Sequence, residues 1–151
     1  MDVVDILIKD HDSLRGALKS LELHLGPGCG CGWEDQVQLD PAKFHDDLET
    51  LSRAFREHKN FEEKFAEDWL RQSPEPNSAV EKILLESHKS IDALLKLFAT
   101  VATLISDGHV HATRTVMSRL REELARHMNE EESGLFPLLR NRKRAGASSG
   151  A

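Results

Sequence analysis

Four stretches of this chain space apolar residues in alternating steps of three and four, and the series runs through histidine or glutamate without breaking. That spacing keeps one stripe of a helix turned to a common interior, so the chain is committed to long amphipathic helices. Over residues 2–25 the stripe is Val4, Leu7, Leu14, Leu18, Leu21 and Leu25, with His11 in its only gap. Over 41–72 it is Phe44, Leu48, Leu51, Phe55, His58, Glu62, Phe65 and Trp69. Over 79–106 it is Leu84, His88, Ile91, Leu95, Phe98, Ala102 and Ile105. From 110 to about residue 140 it is Thr113, Met117, Leu120, Leu124, His127, Glu131, Gly134 and Leu138.

The breaks between the stripes are equally marked. The run from Gly26 to Trp33 is too rich in Gly and Pro to continue a helix, and Asp40-Pro41 reads as an N-cap followed by Pro at the first helical position. A short Ser/Pro/Asn run at 73–78 and Asp107-Gly108 separate the later stripes, and Pro137 should kink or end the last helix. These signals predict an all-α fold, an up-down-up-down antiparallel four-helix bundle over residues 1–142, with a disordered tail over 143–151.

Composition narrows the class. A chain of 151 residues with 39% hydrophobic and 30% charged residues suits one soluble domain. No apolar run approaches a membrane span, and the acidic start, Met1-Asp2-Val3-Val4-Asp5, lacks the pattern of a signal peptide, so a cytoplasmic protein with no membrane partner is expected. The net charge of -6 argues against a nucleic-acid partner. The basic cluster Arg140 to Arg144 has no interleaved aromatics and better fits a helix C-terminus. Cys29 and Cys31 are too close in sequence for a loop-closing disulfide, so they give no sign of an oxidising compartment.

The polar residues on the stripes carry the chemistry: His11, His58, Glu62, His88, His127 and Glu131. Two pairs are His-x-x-x-Glu, which places both side chains on one helix face, one turn apart. The order, His then His-x-x-x-Glu, occurs twice and gives the set an approximate two-fold symmetry. In an antiparallel bundle, residues equally far from a connecting turn share a level. His11 and His58 lie 14 and 17 residues from their turn, Glu62 and His88 lie 10 and 9, and His88 and His127 lie 18 and 17. A mismatch of three residues is only about 5 Å of helical rise, so all six are expected in one inner layer. A single His on an apolar stripe is commonly a hydrogen-bonded core residue, and a single His-x-x-x-Glu is common on surfaces. Six polar groups in one buried layer are another matter: each unpaired carboxylate costs several kcal/mol, and metal ions remove that cost.

Four imidazoles and two carboxylates are too many ligands for one tetrahedral zinc, and calcium and magnesium prefer oxygen. Mixed His and carboxylate ligation suits iron or manganese. With each Glu bridging two ions, every ion receives two His and two carboxylate oxygens and keeps open positions.

These residues resemble the hemerythrin family in its bacterial hemerythrin-like (HHE cation-binding) branch. The likeness runs from Asp10-His11 to the last helix. It is carried most by the stretch His127-Met128-Asn129-Glu130-Glu131-Glu132-Ser133-Gly134-Leu135-Phe136-Pro137, with His58 to Glu62 matching the second-helix motif. The resemblance implies two iron ions with a bridging oxo or hydroxo group, and a small-molecule ligand such as O2, nitric oxide or peroxide. Oxygen-carrying members have a second His one turn after the third-helix His, where this chain has Asp92. That departure opens one iron or supplies a carboxylate, and it weighs against reversible O2 storage. The function expected is binding of O2 or a related ligand for sensing, storage or scavenging, with a binding or sensor protein favoured over an enzyme. The alternatives are a di-iron enzyme reducing peroxide or nitric oxide, and an iron-responsive interaction module. His24, Cys29, Cys31, His45, His109 and His111 are expected at the opposite end of the bundle, as ordinary loop residues rather than a second metal site.

Overall fold

The computed structural model describes residues 2–26, 39–72 and 78–141, the side chains of Ser78 and His88 excepted. The stretch carrying Cys29, Cys31 and Trp33, the breaker at 73–77 and the tail expected over 143–151 lie outside the described residues. All regular structure among the described residues is helical: α1 (Val3–Leu23), α2 (Pro41–Arg71), α3 (Ser78–Ser106) and α4 (Val110–Glu130). A π-helical turn, Glu131–Leu135, continues α4, and α-helix resumes over 136–141. No described helix is long and apolar enough to cross a membrane.

The boundaries follow from local chemistry. Asp40 caps α2, its carboxylate accepting from the backbone N–H of Ala42 at 3.1 Å and Lys43 at 3.2 Å, with Pro41 in the first turn. The end of α3 closes with the N–H of His109 on the Leu104 carbonyl (2.9 Å) and that of Gly108 on Ile105 (3.1 Å). This double bond needs a left-handed residue, which Gly108 supplies at φ 77°.

Each helix packs on its neighbours in sequence, and α1 also touches α4. Arg114, near the start of α4, donates to the Leu25 carbonyl just past α1, while Arg140 beyond α4 pairs with Asp5 at the start of α1 (2.6 Å). His24 meets Asp47 at 2.5 Å, joining the end of α1 to the start of α2.

The interior has two apolar clusters. The larger runs from Leu14 to Leu21 on α1 and Leu25 just past it, through Phe44 to Phe55 on α2 and Ile91 to Ile105 on α3, to Met117 to Met128 on α4. The smaller is Val4, Leu7, Val80, Leu135, Phe136 and Leu139. His11, His58, Glu62, Ser87, His127 and Glu131 are buried between the stretches of chain that supply the two.

Two stripes differ in detail from the spacing rule. On α3 Leu94 and Val101 are fully buried where the spacing picks Leu95 and Ala102, which are only partly covered, and Ser87 is buried. After Glu131 the inward residues are Leu135 and Leu139, not Gly134 and Leu138. The π turn is the cause: an i→i+5 turn takes up about one more residue than an α turn and delays the stripe by one position. The N–H of Phe136 reaches back to the Glu131 carbonyl across it. The same widened turn lets the helix run through Pro137, whose ring clashes with the carbonyl four residues back in a regular α-helix.

Candidate metal centre

α2 and α4 each bring one His-x-x-x-Glu pair to the interior. His58, Glu62, His127 and Glu131 are all buried, and ligand atoms of all four lie within 4.8 Å of one another. Metal–ligand bonds of about 2.0–2.2 Å place ligands of one ion roughly 4 Å apart, so the group has the span of a site for one cation or two.

His11 of α1 joins them. Its Nε2 lies 3.1 Å from His58 Nε2 and 3.1 Å from Glu131 Oε2. Glu131 is the hub: its Oε1 is 2.7 Å from His127 Nε2 and accepts from Ser87 Oγ at 3.1 Å. Glu62 is more lightly held, with Oε2 3.3 Å from His58 Nε2. Aromatic rings wall the layer, Phe55 edge-on to His127 and Phe136 stacked on His11. A cavity of about 290 Å³ between α3 and α4 reaches it, lined by Ile83, Glu86, Ser87, His127, Glu130, Glu131 and Ser133.

The outward nitrogens are also engaged. His11 Nδ1 donates to Glu132 Oε1 at 2.8 Å, and His58 Nδ1 faces Asp10 Oδ2 at 3.5 Å. His11 faces a carboxylate with each ring nitrogen, and because a carboxylate can only accept, a cation bound at Nε2 would leave the His11 proton on Nδ1, towards Glu132. Lone pairs of imidazoles and carboxylates thus point at one another, an arrangement that needs protons or cations between them.

The electrostatics agree. Burial disfavours the charged form of His58, yet the hydrogen bonds and charges of Glu131 and Glu62 outweigh it and raise its pKa to about 10. Burial lifts Glu62 above the usual carboxylate range, and the charge of Glu131 adds to the lift. Burial also opposes ionisation of Glu131, but hydrogen bonds from His11, His127 and His58 hold it well below that range. For Glu132 the burial penalty is outweighed by His11 and Arg15, which keep it low. The chain spends a buried proton on His58 to balance its carboxylates, and a bound cation can replace that proton. The donor set fits a cation of the mixed nitrogen and oxygen type.

Of the sequence-predicted residues, five converge: His11, His58, Glu62, His127 and Glu131. His88 lies on α3 directly after Ser87, and its side chain is outside the described ones. Asp92 is exposed, on a different side of α3 from the buried Ser87 and Ile91. Ser87, Asp10 and Glu132 were not singled out by the spacing, although Asp10 and Glu132 directly adjoin His11 and Glu131. At the far end, His45, His109 and His111 are exposed and His24 is paired with Asp47.

Residues 79–150 match the family model described as Hemerythrin HHE cation binding domain. No curated protein and no solved structure matches the chain.

Proposed function

Because residues 79–150 carry a hemerythrin HHE cation-binding domain, we propose that this chain holds a carboxylate-bridged pair of iron ions and binds O2 or a related small molecule there. The observation that carries the reading is the convergence of three imidazoles and two carboxylates, buried and facing inward, around Glu131. The ligands are His11, His58, Glu62, His88, His127 and Glu131. Mixed His and carboxylate ligation favours iron over zinc or calcium. The terminal contacts of α1 with α2 and α4 support an up-down-up-down antiparallel bundle, with residues 1–142 as its domain. A cytoplasmic location with no nucleic-acid or membrane partner is part of the same reading.

Bound iron supplies a redox change and an exchangeable coordination position. The protein supplies the rest. Glu131 and Glu62 balance the charge, and Ser87 Oγ fixes one oxygen of Glu131. Phe55 and Phe136 exclude water from two sides. The cavity between α3 and α4 gives a small molecule a way to His127 and Glu131. The exposed Glu86 and Glu130 at its mouth admit solvent, so sensing or scavenging is favoured over reversible storage.

Anaerobic reconstitution with Fe(II), followed by O2 with the absorption spectrum recorded, tests the proposal. About two irons per chain are expected, with an oxidation-linked change in the visible spectrum that deoxygenation does not fully reverse. Failure to bind about two irons overturns the reading. A band that vanishes completely on deoxygenation sinks the preference for sensing or scavenging and points back to storage.

A further inference from the structure

Glu132 is next to Glu131 in sequence but meets the other ring nitrogen of His11. Its Oε1 accepts from two groups of α1, His11 Nδ1 at 2.8 Å and Arg15 Nη2 at 2.9 Å. Arg15 lies one turn after His11, so both reach Glu132 from the same side. The imidazole of His11 is wholly buried, whereas the Glu132 side chain is 31% exposed and that of Arg15 38%. Glu132 and Phe136 also line a cleft of about 300 Å³ that opens beside them.

Three connected groups thus run from the surface to the buried layer: Arg15, Glu132 and His11. Anchored by the guanidinium, the carboxylate holds the His11 ring in one orientation and one tautomer, with Nε2 aimed at the His58 and Glu131 ligand atoms. A carboxylate on the outer nitrogen also makes an imidazole more electron-donating and a better ligand. The equivalent support of His58 is weaker, since Asp10 stands 3.5 Å away and no cation among the described residues anchors it. The two imidazoles face each other but are held with different strength.

We propose that Glu132, anchored by Arg15, is a positioning residue for the metal centre: it locks His11 and biases the iron that His11 meets towards Fe3+. This rests on the cation reading given above. Donation from a carboxylate-supported imidazole stabilises the more highly charged ion more, so removing it raises the midpoint potential.

The test uses the full chain with Fe2+ as probe, titrated anaerobically, and spectroelectrochemistry of the loaded protein. Glu132→Gln should still reach wild-type stoichiometry at saturation, with Fe2+ affinity down by about 10–100-fold. Its potential should rise by about 59 mV for each tenfold loss of preference for Fe3+ over Fe2+. Arg15→Gln should give a smaller change of the same sign, and Arg15→Lys should restore most of it. Asp12→Asn, which takes the charge from the other partner of Arg15 at 3.3 Å, should change neither quantity. Asp10→Asn should have a smaller effect than Glu132→Gln. Wild-type affinity and potential in Glu132→Gln overturn the proposal. A wild-type chain that takes up no iron overturns instead the cation reading beneath it. Should Glu132→Gln fail to fold, the Arg15→Gln and Arg15→Lys pair decides, and identical potentials in both and in wild type overturn the proposal.

Discussion

The two His-x-x-x-Glu pairs are indistinguishable as motifs and unlike as sites. His58 and Glu62 sit on an unbroken α-helix, and among the described residues Glu62 makes one short contact, to His58. His127 and Glu131 sit where α4 passes into a π turn, and Glu131 receives His11, His127 and Ser87. The consequence is opposite in sign: burial raises Glu62, while donors drive Glu131 down despite its burial. A shared spacing fixes where a carboxylate stands, and the neighbouring helices fix what it does.

The widest separation is expected from removing each carboxylate. Glu131→Ala takes away the hub, so almost no iron should remain by elemental analysis. Glu62→Ala should lose at least one iron and keep part of the site. In the loaded protein each loss should also cost stability, on the order of 3–5 kcal/mol for Glu131, because buried partners are left uncompensated. Equal metal content in the two variants would erase the distinction between hub and side ligand.

The metal-free protein shows the contrast through pH. The raised His58 contributes stability that is fully present below pH 6.5 and is lost as pH rises through about 10. Glu131, held low, contributes stability above pH 4.5 that is lost as pH falls. Glu62, raised, contributes below 4.5 and loses that contribution as pH rises. Thermal melts against pH should therefore show Glu62→Gln flattening the loss that begins as pH rises above 4.5 and Glu131→Gln flattening the acid one. Parallel shifts in both variants would show that the two carboxylates are equivalent.

Ser87→Ala removes one neutral donor to Glu131 and should cost about 1 kcal/mol in a denaturant titration, with iron content retained. A null result would move the weight of Glu131 onto its histidines alone. The smallest effect is expected at Asp92. It is exposed on α3, so Asp92→His should change stability by no more than about 0.5 kcal/mol and leave iron content and spectrum as they were. A new imidazole ligand in that variant would contradict the placement.

The sequence carried the four helices, because three-four spacing and the caps at Asp40 and Gly108 are local signals. It also placed His11 and His58 at one level, and their Nε2 atoms lie 3.1 Å apart. It did not carry the register after Glu131. Gly134 and Leu138 satisfy α spacing, and nothing in the residue types announces a π turn except Pro137 two positions beyond it. On α3, Leu94 and Leu95 and then Val101 and Ala102 are adjacent apolar pairs, and packing rather than composition chose the buried member. Asp10 and Glu132 were invisible for a related reason. Adjacent residues on a helix diverge by about 100°, and which neighbouring helix each one meets depends on the assembled bundle.

The division of the interior has a consequence for how the protein opens. The smaller cluster, built on Val4, Leu7, Val80, Leu135, Phe136 and Leu139, has far fewer buried apolar members than the larger one among the described residues. It joins the larger one across a layer whose cohesion depends on charge balance. Amide hydrogens around Val80 and Leu139 should then exchange by local opening in the metal-free chain, ahead of those around Phe55 and Leu120. A cation tying α1, α2 and α4 together across that layer makes the two ends exchange as one unit. Metal loading then acts as a latch on half of the molecule, felt farthest from where most of the core lies.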